Sequence, residues 1–117
     1  MNIYHAGRGG GKTLMLIKMS AEGKGMIVTH SRQSAVHIKE TAARMGYDIP
    51  FPITFEDLLH KKEEHKLDFS EERYLVDELS LVLKHALHID AATIDNQYLH
   101  CLYPVEEEEK EDGDVFD

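Results

Sequence analysis

The chain has 117 residues, 42% of them hydrophobic, which suffices for one domain with its own core and leaves little room for a second. Its net charge of −9, from 22 acidic and 13 basic side chains, argues against a tight, autonomous DNA binder through long-range repulsion. Cys101 is the single cysteine, which excludes an internal disulfide, and no apolar run approaches the roughly 20 residues that span a bilayer.

Asn2 to His5 reads as a short first strand, followed by a glycine-rich loop. Lys12 to Ala21 (KTLMLIKMSA) is rich in helix formers and predicts the first helix, ended by Gly23 and Gly25. Met26 to Thr29 (MIVT) is β-rich and predicts the second strand. Ser31 is an N-cap for a helix running to Met45, with Gly46 behind it. Ala35, Ile38, Ala42 and Met45 recur at spacings of three and four, one apolar face.

Ile49 to Ile53 (IPFPI) carries two prolines, which restricts it to an edge strand or an extended connection. Thr54 caps a helix starting at Phe55, with Asp57 placed for a capping box. That helix decays into a charged stretch at His60 to Lys66, most simply a solvated helix end. Arg73 to Val76 predicts the next strand, Leu79 to His88 a helix, and Ala91 to Ile94 a fourth short parallel strand. Gln97 to Tyr103 is ambiguous between helix and strand. Alternating strands and helices predict an α/β three-layer sandwich with a mainly parallel sheet of about four to five strands. The domain is expected over residues 1–104, followed by a disordered acidic tail at 105–117.

Ala6-Gly7-Arg8-Gly9-Gly10-Gly11-Lys12-Thr13 fits the phosphate-loop pattern, with Ala in place of the first Gly. Side chains would obstruct the phosphates, so glycines let backbone N–H groups curl into an anion-binding nest. The helix that follows adds its N-terminal N–H groups and dipole. Lys12 is then placed for the β- and γ-phosphates, and the Thr13 hydroxyl for Mg²⁺. The bland alternative is a flexible glycine turn, which does not require the flanking strand and helix. Downstream, Tyr74-Leu75-Val76-Asp77-Glu78 is an apolar strand ending in two carboxylates, at the end of a strand where open α/β sheets bind ligands. Read alone, the pair is two acids favoured at a helix start.

Together, Ala6 to Thr13 and Leu75-Val76-Asp77-Glu78 resemble the Walker A and Walker B segments of P-loop NTPases. The Glu directly after the Asp is similar to the additional-strand, catalytic-glutamate division, with its RecA-like ATPases, helicase motors and thymidine kinases. The resemblance covers about residues 1–100. It implies a minimal RecA-like fold that binds ATP, with Asp77 and Thr13 as Mg²⁺ ligands. It also implies Glu78 and Lys12 as the catalytic groups. It implies further that Ala91–Ile94 lies between the loop strand and the Asp77 strand, with Asn96 preferred over Thr93 and Asp95 as γ-phosphate sensor.

Val28 to Arg32 and Ile53 to Phe55 stand where helicase motors contact single-stranded DNA. The whole also looks like small ATPase-like proteins encoded by bacteriophages; the single cysteine agrees with a reducing cytosol, which is the host's cytoplasm if the chain is phage-encoded. The chain ends before a second motor domain. An arginine finger is therefore expected from Arg8, Arg32, Arg44 or Arg73 of another copy, or from a partner. A thymidine kinase's zinc cysteines are missing, since only Cys101 is present.

Three functions follow as expectations. The first is a weak Mg-dependent ATPase serving nucleic-acid metabolism with a partner protein or as a homo-oligomer, touching single-stranded DNA only weakly by itself. The second is a non-catalytic, nucleotide-gated binding module, and the third a small-molecule kinase. The eight histidines, His85 and His88 among them, lack the companions of a metal site and read as surface residues. The tail EEEEKEDGDVFD reads as solubilising, or as a partner anchor through Phe116.

Overall fold

The structure, a computed structural model, describes residues 1–7, 11–65 and 73–102. Arg8, Gly9 and Gly10 of the glycine loop, Lys66 of the charged stretch, Tyr103 and the acidic tail lie outside the described residues. The architecture is α/β. Among the described residues, the strands are β1 (Ile3–His5), β2 (Met26–Thr29), β3 (Ile53–Thr54), β4 (Tyr74–Val76) and β5 (Leu99–Cys101). The helices are α1 (Lys12–Ala21), α2 (Arg32–Arg44), α3 (Phe55–His65) and α4 (Leu79–Leu87). Every strand pair is parallel. The chain forms two units, one of Met1–Lys12 with the described residues from Thr93, the other of Thr13–Ala92.

In the first unit β1 and β5 pair with Ile3 opposite Leu99, Tyr4 opposite His100 and His5 opposite Cys101. Tyr4 and His100 stack with ring centroids 5.1 Å apart, a cross-strand contact of the kind that stabilises a ladder. A 3-10 turn at Asn96–Tyr98 leads into β5, and the Asp95 carboxylate accepts from the Gln97 N–H at 3.0 Å. The ambiguous segment from Gln97 is thus turn, then strand.

The expected strand at Ala91–Ile94 is corrected: those residues are exposed and join no ladder. Ala91 and Ala92 offer little side-chain surface to pack on a pleated sheet. Pairing falls instead on Leu99-His100-Cys101, where His100 stacks on Tyr4 of β1.

The second unit is a sheet of order β3-β2-β4 flanked by helices. β2 sits in the middle, and Ile27, Val28 and Thr29 have no solvent exposure. Leu16 and Ile17 of α1, Ile27 of β2, Ile38 and Ala42 of α2, and Ile49 form the core, with Leu75 of β4 packed against it. Because side chains alternate along a strand, Ile27 and Leu75 mark the face of the sheet that meets α1 and α2. The prolines of IPFPI confine regular pairing to Ile53–Thr54, an edge strand.

The helix ends follow local chemistry. Ser31 caps α2, accepting from Ser34 N–H at 3.1 Å, and Thr54 caps α3, accepting from Asp57 N–H at 3.0 Å. α1 and α2 each end in a Schellman motif. In α1 Lys24 N–H bonds to Met19 O and Gly23 N–H to Ser20 O; in α2 Tyr47 N–H bonds to Ala42 O and Gly46 N–H to Ala43 O. Met45, expected on the apolar face of α2, is the C-cap beyond the last helical residue and is 47% exposed.

Candidate functional site

β2, β3 and β4 are parallel, so their carboxyl ends share one edge of the sheet, and α2, α3 and α4 each start there. Three helix N-termini and the residues that close the strands therefore collect on that edge, where positive dipole ends favour an anion. Asp77 follows β4 directly. Its main chain is held by β2, with Asp77 N–H donating to Val28 O at 2.9 Å.

The Asp77 side chain is only 6% exposed, and a buried carboxylate is costly unless it accepts hydrogen bonds. The Thr13 hydroxyl lies 3.2 Å from one carboxylate oxygen and 3.4 Å from the other. Thr13 stands in the first turn of α1, so a contact spanning 64 positions ties that helix start to the end of β4. A hydroxyl and a carboxylate side by side are hard oxygen donors, and this pair fits a small divalent cation such as Mg²⁺.

Glu78 is the N-cap position of α4, exposed, and in the left-handed region at φ 59°, ψ 64°. Its side chain makes no capping bond to α4. A non-glycine residue there is uncommon, and such strain gathers at functional positions. Within the first unit Lys12 Nζ donates to Ala6 O at 3.4 Å, which folds the lysine back over the described start of the glycine loop. Gly7 is exposed, and Gly11 has φ +86° with open space where a Cβ would stand. That conformation suits glycine immediately before Lys12.

Asn96 also belongs to the first unit. It opens the 3-10 turn ahead of β5, and β5 runs parallel to β1 with Leu99 opposite Ile3. Asn96 is thus at the amino end of that ladder, whereas the glycine loop leaves its carboxyl end after His5. The expectation that put Asn96 just past a strand's carboxyl end falls with the strand at Ala91–Ile94. Thr93 and Asp95 are exposed residues of the same connection.

Two pairings at the edge were not foreseen from sequence, although Thr29 and His30 lie in the helicase-like segment Val28 to Arg32. Thr29, fully buried at the end of β2, donates its hydroxyl to Ser34 Oγ at 2.8 Å. The rings of His30 and His85 lie 5.6 Å apart at 35°, and His30 Nδ1 is buried without a hydrogen-bond partner. The signal for Thr29 was a hydroxyl closing an apolar strand three residues before a helix start. No such signal linked His30 to His85, which are joined only by tertiary packing. Among the described residues no group of three or more His, Cys, Asp or Glu side chains could hold a metal. Nor is any helix among them long and apolar enough to cross a membrane.

No family model, curated protein or solved structure matches the chain.

Proposed function

We propose that the chain binds Mg-ATP through Ala6 to Thr13 and Asp77, and hydrolyses it slowly with Glu78 as general base, in nucleic-acid metabolism alongside a partner. The observation that carries this reading is the Thr13 hydroxyl on the buried Asp77 carboxylate, 3.2 Å away. Chance seldom joins the hydroxyl that ends a phosphate-loop pattern to the acid that ends a distant strand. The resemblance to P-loop NTPases supports it from the sequence side.

In this scheme the backbone N–H groups of the loop and the start of α1 bind the triphosphate, and Lys12 swings from Ala6 O to the β- and γ-phosphates. Thr13 and Asp77 would hold the magnesium ion, which when bound neutralises charge on the phosphate oxygens. Glu78 accepts a proton from the attacking water. Catalysis then rests on positioning and electrostatics, since phosphoryl transfer asks little covalent chemistry of the protein.

Calorimetric titration with ATP in the presence and absence of Mg²⁺ tests the proposal. Binding that strengthens with Mg²⁺ in the wild type and collapses in Lys12→Ala is expected. Equal affinity for wild type and Lys12→Ala overturns it.

A second reading, a nucleotide-gated binding module without turnover, is favoured by Leu87 and Ile89. They are 46% and 38% exposed at the end of α4, where a protein partner could cover them. Tight ATP binding with no phosphate release selects it. Phosphate release that depends on an added nucleoside acceptor selects the small-molecule kinase instead.

A further inference from the structure

Thr29 has no counterpart in the scheme above, yet it is the most enclosed polar side chain of the sheet's carboxyl edge. It is fully buried, and its hydroxyl is spent on Ser34 Oγ at 2.8 Å. Ser34 belongs to the first turn of α2, and its own N–H donates to the cap Ser31 Oγ at 3.1 Å. A chain of two hydrogen bonds thus ties the last residue of β2 to the start of α2. On its other flank Thr29 pairs in register with Thr54, the cap of α3.

The pairing of β2 with β4 gives this anchor its reach. Val28 lies opposite Val76, so Thr29 and Asp77 are the next neighbours along the two strands. Ile27 and Leu75, two positions earlier on each strand, pack on the same core cluster. By alternation the side chains of Thr29 and Asp77 share the face toward α1 and α2. The main chain of Asp77 bonds to Val28 O, the carbonyl directly before Thr29. Whatever fixes Thr29 fixes the backbone on which Asp77 is hung.

We infer that Thr29, through Ser34, is a positioning residue for Asp77, setting the carboxylate toward the Thr13 hydroxyl and so toward a divalent cation. This rests on the reading of Asp77 and Thr13 as the Mg²⁺ ligands. Residues that orient metal ligands without touching the ion alter metal affinity on the order of 10–100-fold when removed. Thr29→Val keeps the shape and β-branching of the side chain and deletes only the hydroxyl. Thr29→Ser keeps the hydroxyl.

ATP affinity is measured by calorimetry with and without Mg²⁺ for wild type, Thr29→Val and Thr29→Ser. The expected result is that Thr29→Val loses at least about tenfold of the gain that Mg²⁺ confers, with Mg-free affinity unchanged, and that Thr29→Ser restores the gain. A full Mg²⁺ gain in Thr29→Val overturns the inference. Equal weakening with and without Mg²⁺, or no recovery in Thr29→Ser, assigns Thr29 a structural role and also overturns it.

If the wild type binds no ATP at all, the nucleotide reading falls and the cation-directed part of the inference falls with it; amide exchange of the nucleotide-free protein then decides only whether Thr29 anchors the backbone of Asp77. Exchange at the Asp77 N–H about tenfold faster in Thr29→Val and normal in Thr29→Ser supports it. Unchanged exchange in Thr29→Val refutes it.

Discussion

At the scale of single residues, Asp77 and Glu78 are neighbours with opposite surroundings. Asp77 is buried, and its carboxylate accepts from Thr13; Glu78 is exposed and left-handed. Removing charge from Asp77 should act on the cation first, so Asp77→Asn is expected to flatten the Mg²⁺ dependence of ATP binding, read by titration at several Mg²⁺ concentrations. Glu78 carries a backbone cost, since the left-handed region disfavours residues with a Cβ by roughly 1–2 kcal/mol. Glu78→Ala keeps that cost and Glu78→Gly relieves it, while both delete the carboxylate. Glu78→Gly should therefore be more stable than Glu78→Ala by about 1 kcal/mol in chemical denaturation, with phosphate release lowered on the order of a hundredfold or more in both. Equal stability of the two variants would show that Glu78 is not strained in solution.

At the scale of elements, local chemistry set the boundaries and tertiary pairing set the partners. Gly25, just before β2, illustrates the second. A Cβ there would stand 3.0 Å from Arg73 O and from Leu75 Cγ of the neighbouring segment, so β2 and β4 approach as closely as they do only over a glycine. Gly25→Ala should destabilise the protein by about 1–3 kcal/mol, the usual range for overpacking, seen as a lower melting temperature. α1, β2, α2 and α3 were legible because Ser31, Thr54, Gly23 and Gly46 punctuate them. Met45 and Ala91–Ile94 were misread for a shared reason: periodicity and strand-like composition do not reveal whether a surface exists to pack against. Of the candidate site, the acid at the end of β4 and the hydroxyl of Thr13 were legible as motifs. Their contact is a property of the fold, as is the Thr29–Ser34 bond beside them. For Asn96 the strand at Ala91–Ile94 that was to carry it did not form.

At the scale of the whole molecule, binding of a ligand to the folded state alone must raise stability. ATP and Mg²⁺ at about a hundred times the dissociation constant should add roughly 2.7 kcal/mol, and chelation of the metal should remove most of it. Thermal melts with ATP, with and without EDTA, test this. A melting temperature that ignores both would speak against nucleotide binding in the folded state. The charge of the acidic sequence Glu106–Asp117 belongs to the same scale, because charge in water acts through a field screened over about 10 Å at 0.1 M salt. Deleting it should leave ATP affinity and melting temperature unchanged, and raise DNA affinity or abolish partner capture at low salt only. Identical behaviour of the truncated and full chains would reduce the segment to a solubilising appendage.

The parallel ladder of β1 and β5 has a consequence for synthesis. Ile3 pairs with Leu99, so β1 receives its partner only after nearly the whole described chain has followed it out of the ribosome. At translation rates of about 5–20 residues per second, β1 waits several seconds with only water for its backbone donors and acceptors. A nascent chain stalled before Leu99 would hold an open strand edge, the kind of surface on which chaperones act and aggregates begin.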